Sequence, residues 1–177
     1  MKLRGSRSRE DVAAFLDDRS IPIRLGCRTP ADHPWMVSLW YRRRTVETGP
    51  TGDGSGDEGD GRSAEDDEGN GAADEHDGWV LECATSAEAN VVDYLQETPA
   101  ISFEVSTNRP PYAGVRGRGE ASIEPDPEKA VLRDLLERYL GGTDSELART
   151  LLREDREEVT ITIEPAVVYG WDFSDRM

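Results

Sequence analysis

The stretch that decides the fold is Pro110-Pro111-Tyr112-Ala113-Gly114-Val115-Arg116-Gly117-Arg118-Gly119-Glu120. From Val115 to Glu124 it reads as a strand. Val115, Gly117, Gly119, Ala121 and Ile123 fall on one face, and Arg116 and Arg118 fall on the other, the two-residue period of pleated backbone. Two glycines at successive same-face positions either allow a sharp bend or admit a neighbouring ring closely.

Working outward, Ile101, Phe103 and Val105 alternate with Ser102, Glu104 and Ser106, so a strand precedes the decisive one, beginning after Pro99. Further upstream, Ile21–Arg28 and Trp35–Arg44 alternate on either side of the turn Thr29–Pro34 and read as a hairpin. Trp79–Ala84 is a third strand. Glu158–Glu164 is a sixth, resuming through Val167–Tyr169. Val12, Phe15 and Leu16 place a short helix over Arg9–Asp18. Thr85-Ser86-Ala87-Glu88 has capping-box spacing and opens a helix from Ser86 to Glu97. A firmer amphipathic helix carries Val131, Leu132, Leu135, Leu136, Tyr139 and Leu140, with Pro127 in its first turn and Gly141-Gly142 at its end. A second capping box, Thr143–Glu146, starts a shorter helix through Leu147, Leu151 and Leu152. The connections between strands one and two and between four and five are too short for the crossover that parallel pairing needs. The expectation is therefore a mainly β fold with peripheral α-helices, a six-stranded, mostly antiparallel barrel in a single domain over residues 8–177.

Composition narrows the function. The chain has 177 residues and a formal charge of -16, but residues 47–77 hold twelve acidic side chains against the single Arg62. Residues 45–78 contain no sizeable apolar side chain between Val46 and Trp79, so the sequence predicts a disordered acidic insertion between strands two and three. The charge balance argues against nucleic acid and against an anionic membrane surface. Only Lys2 and Lys129 stand against nineteen arginines, a pattern that suits a cytoplasm of high ionic strength, such as that of a haloarchaeon. No apolar run approaches membrane-spanning length, and Met1–Glu10 lacks a signal core, which points to a cytoplasmic protein. Cys27 and Cys83 are far apart and read as reduced structural thiols. The only histidines, His33 and His76, sit in expected loops, so neither a nucleophilic triad nor a metal site can be assembled from this sequence.

The order of these pieces resembles the pyridoxamine 5'-phosphate oxidase-like superfamily of FMN-binding split barrels, in its branch of small flavin-reductase-like proteins. The resemblance is carried by Ile23–Cys27, Trp35–Tyr41, Gly78–Cys83, Ser86–Leu95, Pro111–Gly119, Glu164-Pro165 and the closing Gly170-Trp171-Asp172-Phe173-Ser174. It implies a homodimeric oxidoreductase acting on a small molecule, with FMN, or alternatively an 8-hydroxy-5-deazaflavin coenzyme, in a groove between subunits. Such cofactors do the hydride chemistry themselves, which would explain a chain so poor in catalytic motifs. No catalytic residue can be named.

Carried over by position, the resemblance places Met36, Val37, Ser38, Leu39 and Trp40 along the ring, and Cys83, Ala84, Thr85 and Ser86 near the phosphate. Family members often set a basic residue in the turn after strand three. This chain has Ala87-Glu88-Ala89-Asn90 there, which leaves room for a cofactor-free, ligand-sequestering protein. Arg24 is either a solvated position or a phosphate donor. Arg116 and Arg118 either pair with Glu104 or Glu120 or contact a ligand anion. Arg109 could form a rim over the cofactor tail. Trp40 and Trp171 are aromatics of the core or of the dimer interface.

Overall fold

The computed structural model describes residues 1–47 and 77–176. Its elements are β1 (Lys2–Gly5), α1 (Arg9–Asp18), β2 (Ile23–Arg28), β3 (Pro34–Leu39), β4 (Tyr41–Glu47), β5 (Asp77–Ser86), α2 (Asn90–Glu97), β6 (Ala100–Ser106), β7 (Ala113–Pro125), α3 (Ala130–Leu140), α4 (Glu146–Leu151) and β8 (Glu158–Asp172), followed by a 3-10 turn at Ser174–Arg176. All eight strands belong to one sheet ordered β3-β2-β6-β7-β8-β5-β4, with β1 added in parallel to β8. The other pairs are antiparallel.

This corrects the expected six-stranded barrel. The fold is mixed α/β, and the sheet is open, because its end strands β3 and β4 are not paired with each other. Two features account for the strand count. Lys2–Gly5, with Leu3 as its one half-buried residue, joins the sheet through Val167–Gly170, so the fold begins before residue 8. The expected strand Trp35–Arg44 breaks at Trp40, which leaves the sheet and stacks on Tyr139 with ring centroids 5.2 Å apart. Beyond that break the chain resumes on the opposite edge, where Arg42 and Arg44 both reach the buried carboxylate of Glu82 on β5. The ladder continues to Val46↔Gly78 and Glu47↔Asp77, so the strands reach into the stretch read as an insertion. The rest of the expected disordered segment, 48–76, lies outside the described residues.

The inner face of the sheet packs on α1 and α2 around Leu16, Ile23, Leu25, Leu81, Val105 and Ile161, all essentially inaccessible to solvent. A smaller cluster of Leu132, Leu136 and Ala148 seats α3 and α4 against Trp40 and Ala84. Helix α1 starts with a complete capping box between Ser8 and Asp11. Helix α3 is capped by Asp126, whose carboxylate accepts from the amides of Ala130 and Val131 at 2.9 and 3.0 Å. It ends at Gly141 in the left-handed conformation that glycine adopts without penalty. The expected box at Thr85–Glu88 does not form. Thr85 and Ser86 stay in the ladder opposite Val159 and Glu158, and helix α2 begins only at Asn90, with no side-chain cap.

Candidate functional site

Residues directly opposite each other in an antiparallel ladder share a face. Ser38, Arg24, Glu104, Arg116 and Tyr169 therefore form one row across β3, β2, β6, β7 and β8, and Met36, Gly26, Ser102, Arg118 and Val167 form the next. This face is turned away from α1 and α2, and it carries an open cleft of about 400 Å³ lined by Arg24, Gly26, Met36, Ser102, Glu104, Arg116, Arg118 and Tyr169, with Phe103 and Gly117 at its base.

Three guanidinium groups meet here, and each is held differently. Arg24 donates to Glu104 Oε1 at 3.4 Å, to Ser106 Oγ at 3.0 Å and to Asn108 Oδ1 at 2.7 Å, so it is pinned at the cleft edge. Glu104 is further engaged by the Ser106 hydroxyl at 2.7 Å. Arg116 lies over the Trp171 ring, 5.4 Å from its centroid. Among the described residues no carboxylate pairs with Arg116 or Arg118, although Glu104 stands opposite Arg116 in the ladder. The cleft thus combines uncommitted cationic donors with the exposed thioether of Met36 and the ring of Tyr169.

Two glycines shape it. A Cβ on Gly117 would sit 2.7 Å from the Phe103 ring and 2.5 Å from the Val167 carbonyl oxygen, so this glycine admits a ring of the core. Gly26 faces the cleft, and a Cβ there would lie 2.6 Å from Ser102 Oγ.

The residues expected to hold a cofactor are distributed unevenly. Arg24, Met36 and Arg116 come together in the cleft, with Ser38 in the same row and Trp171 beneath Arg116. Val37 and Leu39 alternate to the other side and pack on the core. Trp40 and Ala84 belong to the cluster under α3 and α4. Cys83 is fully buried, and burial pushes its thiol well above the ordinary range. Thr85 and Ser86 are half-buried at the far end of β5, where Ser86 borders a separate polar hollow with Arg153 and Arg156. Arg109 is exposed and lines another hollow with Arg7 and Arg19. Within one chain the expected ring and phosphate contacts are therefore not adjacent. Gly26, Ser102 and Tyr169 were not singled out from sequence. The signal for Gly26 was a glycine inside an otherwise alternating strand, which marks a close approach.

Neither a family model nor a curated protein matches the chain. Solved structures do. A conserved hypothetical protein from Mycobacterium tuberculosis superposes with a TM-score of 0.63 at 20% identity, over 97% of this chain and 90% of that one. An F420 reductase gives 0.58 at 19% identity, over 88% and 94%. A Clostridium acetobutylicum protein related to general stress protein 26 of B. subtilis, of the pyridoxinephosphate oxidase family, gives 0.50 at 13%, over 88% and 82%. At these identities the likeness is one of fold. Among the described residues no helix is long and apolar enough to cross a membrane.

Proposed function

We propose that the protein is a flavin- or deazaflavin-dependent oxidoreductase acting on a small molecule, with the cofactor's anionic group held by Arg24 and Arg116. The observation that carries this reading is the arginine-lined cleft itself, a concentration of positive charge, with Arg116 and Arg118 free of carboxylate partners among the described residues, in a chain of net charge -16. Its volume of about 400 Å³ lies within the roughly 300–1,000 Å³ of small-molecule sites. The donor set suits a phosphate, since guanidinium groups bind such oxyanions through paired, charge-assisted hydrogen bonds. Met36 and Tyr169 offer apolar surface to a flat ring. A bound flavin would supply hydride transfer, and the protein would supply placement, exclusion of water and the local field. The shared fold with an F420 reductase favours including a deazaflavin among the candidates.

Because the cleft is open, a second copy of the chain covering it would complete the enclosure, and a homodimer belongs to this proposal. Light scattering across salt concentration should give a dimer that persists at high salt, where repulsion between acidic chains is screened. A monomer at every salt concentration would refute the shared site. For the cofactor, the test is the visible absorbance of protein purified without additions, followed by titration with FMN and with the deazaflavin coenzyme. A folded protein that binds neither leaves the second reading, a ligand-sequestering protein without redox chemistry. The absence of a basic side chain in the turn Ala87–Ala89 favours that alternative.

A further inference from the structure

Beside the arginine cleft lies a second hollow of about 530 Å³, and the two share Gly26, Met36, Ser102 and Arg118 as a common wall. We propose that this hollow is the substrate compartment of the same site and that it takes a planar aromatic molecule carrying one anionic group. Its assignment to the substrate rests on the cofactor reading above, whereas the binding itself rests only on the hollow.

The apolar side is built by Pro34, Trp35 and Met36 on the edge strand β3. Trp35 is 47% exposed and Met36 66%, unusual for such large apolar groups on neighbouring positions. Trp35 meets Tyr94 of α2 edge-to-face at 6.1 Å, which fixes it as a rigid flat wall. A purely ionic ligand would leave this wall wet. The charge side limits the choice further. Arg28 is already paired with Asp32, whereas Arg118 has no carboxylate partner among the described residues. One free guanidinium selects one anionic group, and a neutral ligand would leave it unused. Gly26 sits where the two hollows meet, and the Cβ it lacks would fall 2.6 Å from Ser102 Oγ, so glycine keeps the passage wide.

The test uses the full chain and two fluorescent probes with the same rings, 1-anilinonaphthalene-8-sulfonate and its neutral counterpart N-phenyl-1-naphthylamine. The sulfonate should bind saturably at one per chain with a blue-shifted emission, and R118Q should weaken it about 10- to 100-fold, the loss of a charge-assisted contact. The neutral amine should bind at least about tenfold more weakly than the sulfonate and equally to parent and R118Q. Equal sulfonate affinity in parent and R118Q, or an amine that binds as tightly as the sulfonate, overturns the proposal. FMN titrations on the same samples separate the two readings. Sulfonate binding without flavin binding counts against the cofactor reading alone. Flavin binding without sulfonate binding counts against the second compartment alone, as does complete displacement of the sulfonate by FMN.

Discussion

Replacing Gly119 by alanine should destabilise the protein by about 1–2 kcal/mol, and the reason is backbone against backbone. Gly119 lies opposite Pro165, immediately after the register shift between Arg118 and Gly119 in the β7–β8 ladder. A Cβ there would fall 2.0 Å from the Glu164 carbonyl oxygen and 2.9 Å from the Pro165 Cα. Neither atom can rotate away, so the ladder must open, at about 2–3 kcal/mol, the upper part of the range typical of overpacking. About 0.4–1 kcal/mol returns because alanine restricts the unfolded chain more than glycine does. G26A is the control. Its Cβ meets the Ser102 hydroxyl at 2.6 Å and nothing else closer than 3.7 Å, and a hydroxyl can swing aside. Its stability should stay within about 0.5 kcal/mol of the parent. Urea unfolding followed by tryptophan fluorescence gives both values as midpoint shifts at constant slope. In heat, the G119A loss corresponds to a drop of roughly 2–8 °C. A G119A variant as stable as the parent would refute the claim that glycine is there to seat the irregular β8 strand.

Three further outcomes are expected. Hydrogen bonds from the Ser174 hydroxyl and amide, at 2.5 and 2.8 Å, together with the Arg7 guanidinium, hold the Asp172 carboxyl below the usual carboxylate range. Its stabilising contribution is therefore complete above the ordinary carboxylate pKa of about 3.9 and lost as pH falls through the lower folded value; acid unfolding of D172N should lack this part of the profile, and an unchanged profile would remove Asp172 from the account. Burial raises the thiol of Cys83, so a disulfide reagent should label it in the native protein only at the rate of unfolding; immediate labelling of Cys83 would contradict its place in the core. Excising 48–76 and joining Glu47 to Asp77 through an Asn-Gly turn should leave the urea midpoint and ligand content unchanged, because the two ends already face each other across the β4–β5 ladder; a cofactor-free or less stable variant would give that segment a role.

Where local chemistry decides the structure, the sequence was readable. Helix α1 occupies Arg9–Asp18 as its apolar spacing requires, and Gly141 ends α3 as a left-handed cap. Where distant partners decide, it was not. Nothing in the alternation of Trp35–Arg44 marks a break, since no glycine or proline interrupts it; Trp40 leaves the sheet because Tyr139, about a hundred residues later, offers a ring to stack on. Thr85 has the right spacing for a capping box with Glu88, yet its ladder with Val159 takes precedence. The site shows the same division. Strand parity placed Arg116 and Arg118 on one face of β7, but parity does not say which strand lies alongside, so Tyr169 and Gly26 went unnoticed.

The charge of the chain, read globally, argues against nucleic acid and an anionic membrane surface but leaves a small anion held by local groups open, and the cleft shows why. Exposed charges are screened beyond a Debye length of about 8–10 Å at ordinary ionic strength, so a bound anion responds mainly to its immediate neighbours. In the cleft those neighbours are Arg24, Arg116 and Arg118 against the single carboxylate of Glu104, which is itself occupied by Arg24 and Ser106. Lining the cleft with arginine also separates the charge from the lysine-poor composition. A planar, always-ionised donor keeps its charge when covered by a ligand or a second subunit, whereas a lysine in the same place would be prone to lose its proton. An overall acidic chain can therefore present a small anion-selective face without becoming a general polyanion binder, because the field of such a face is local.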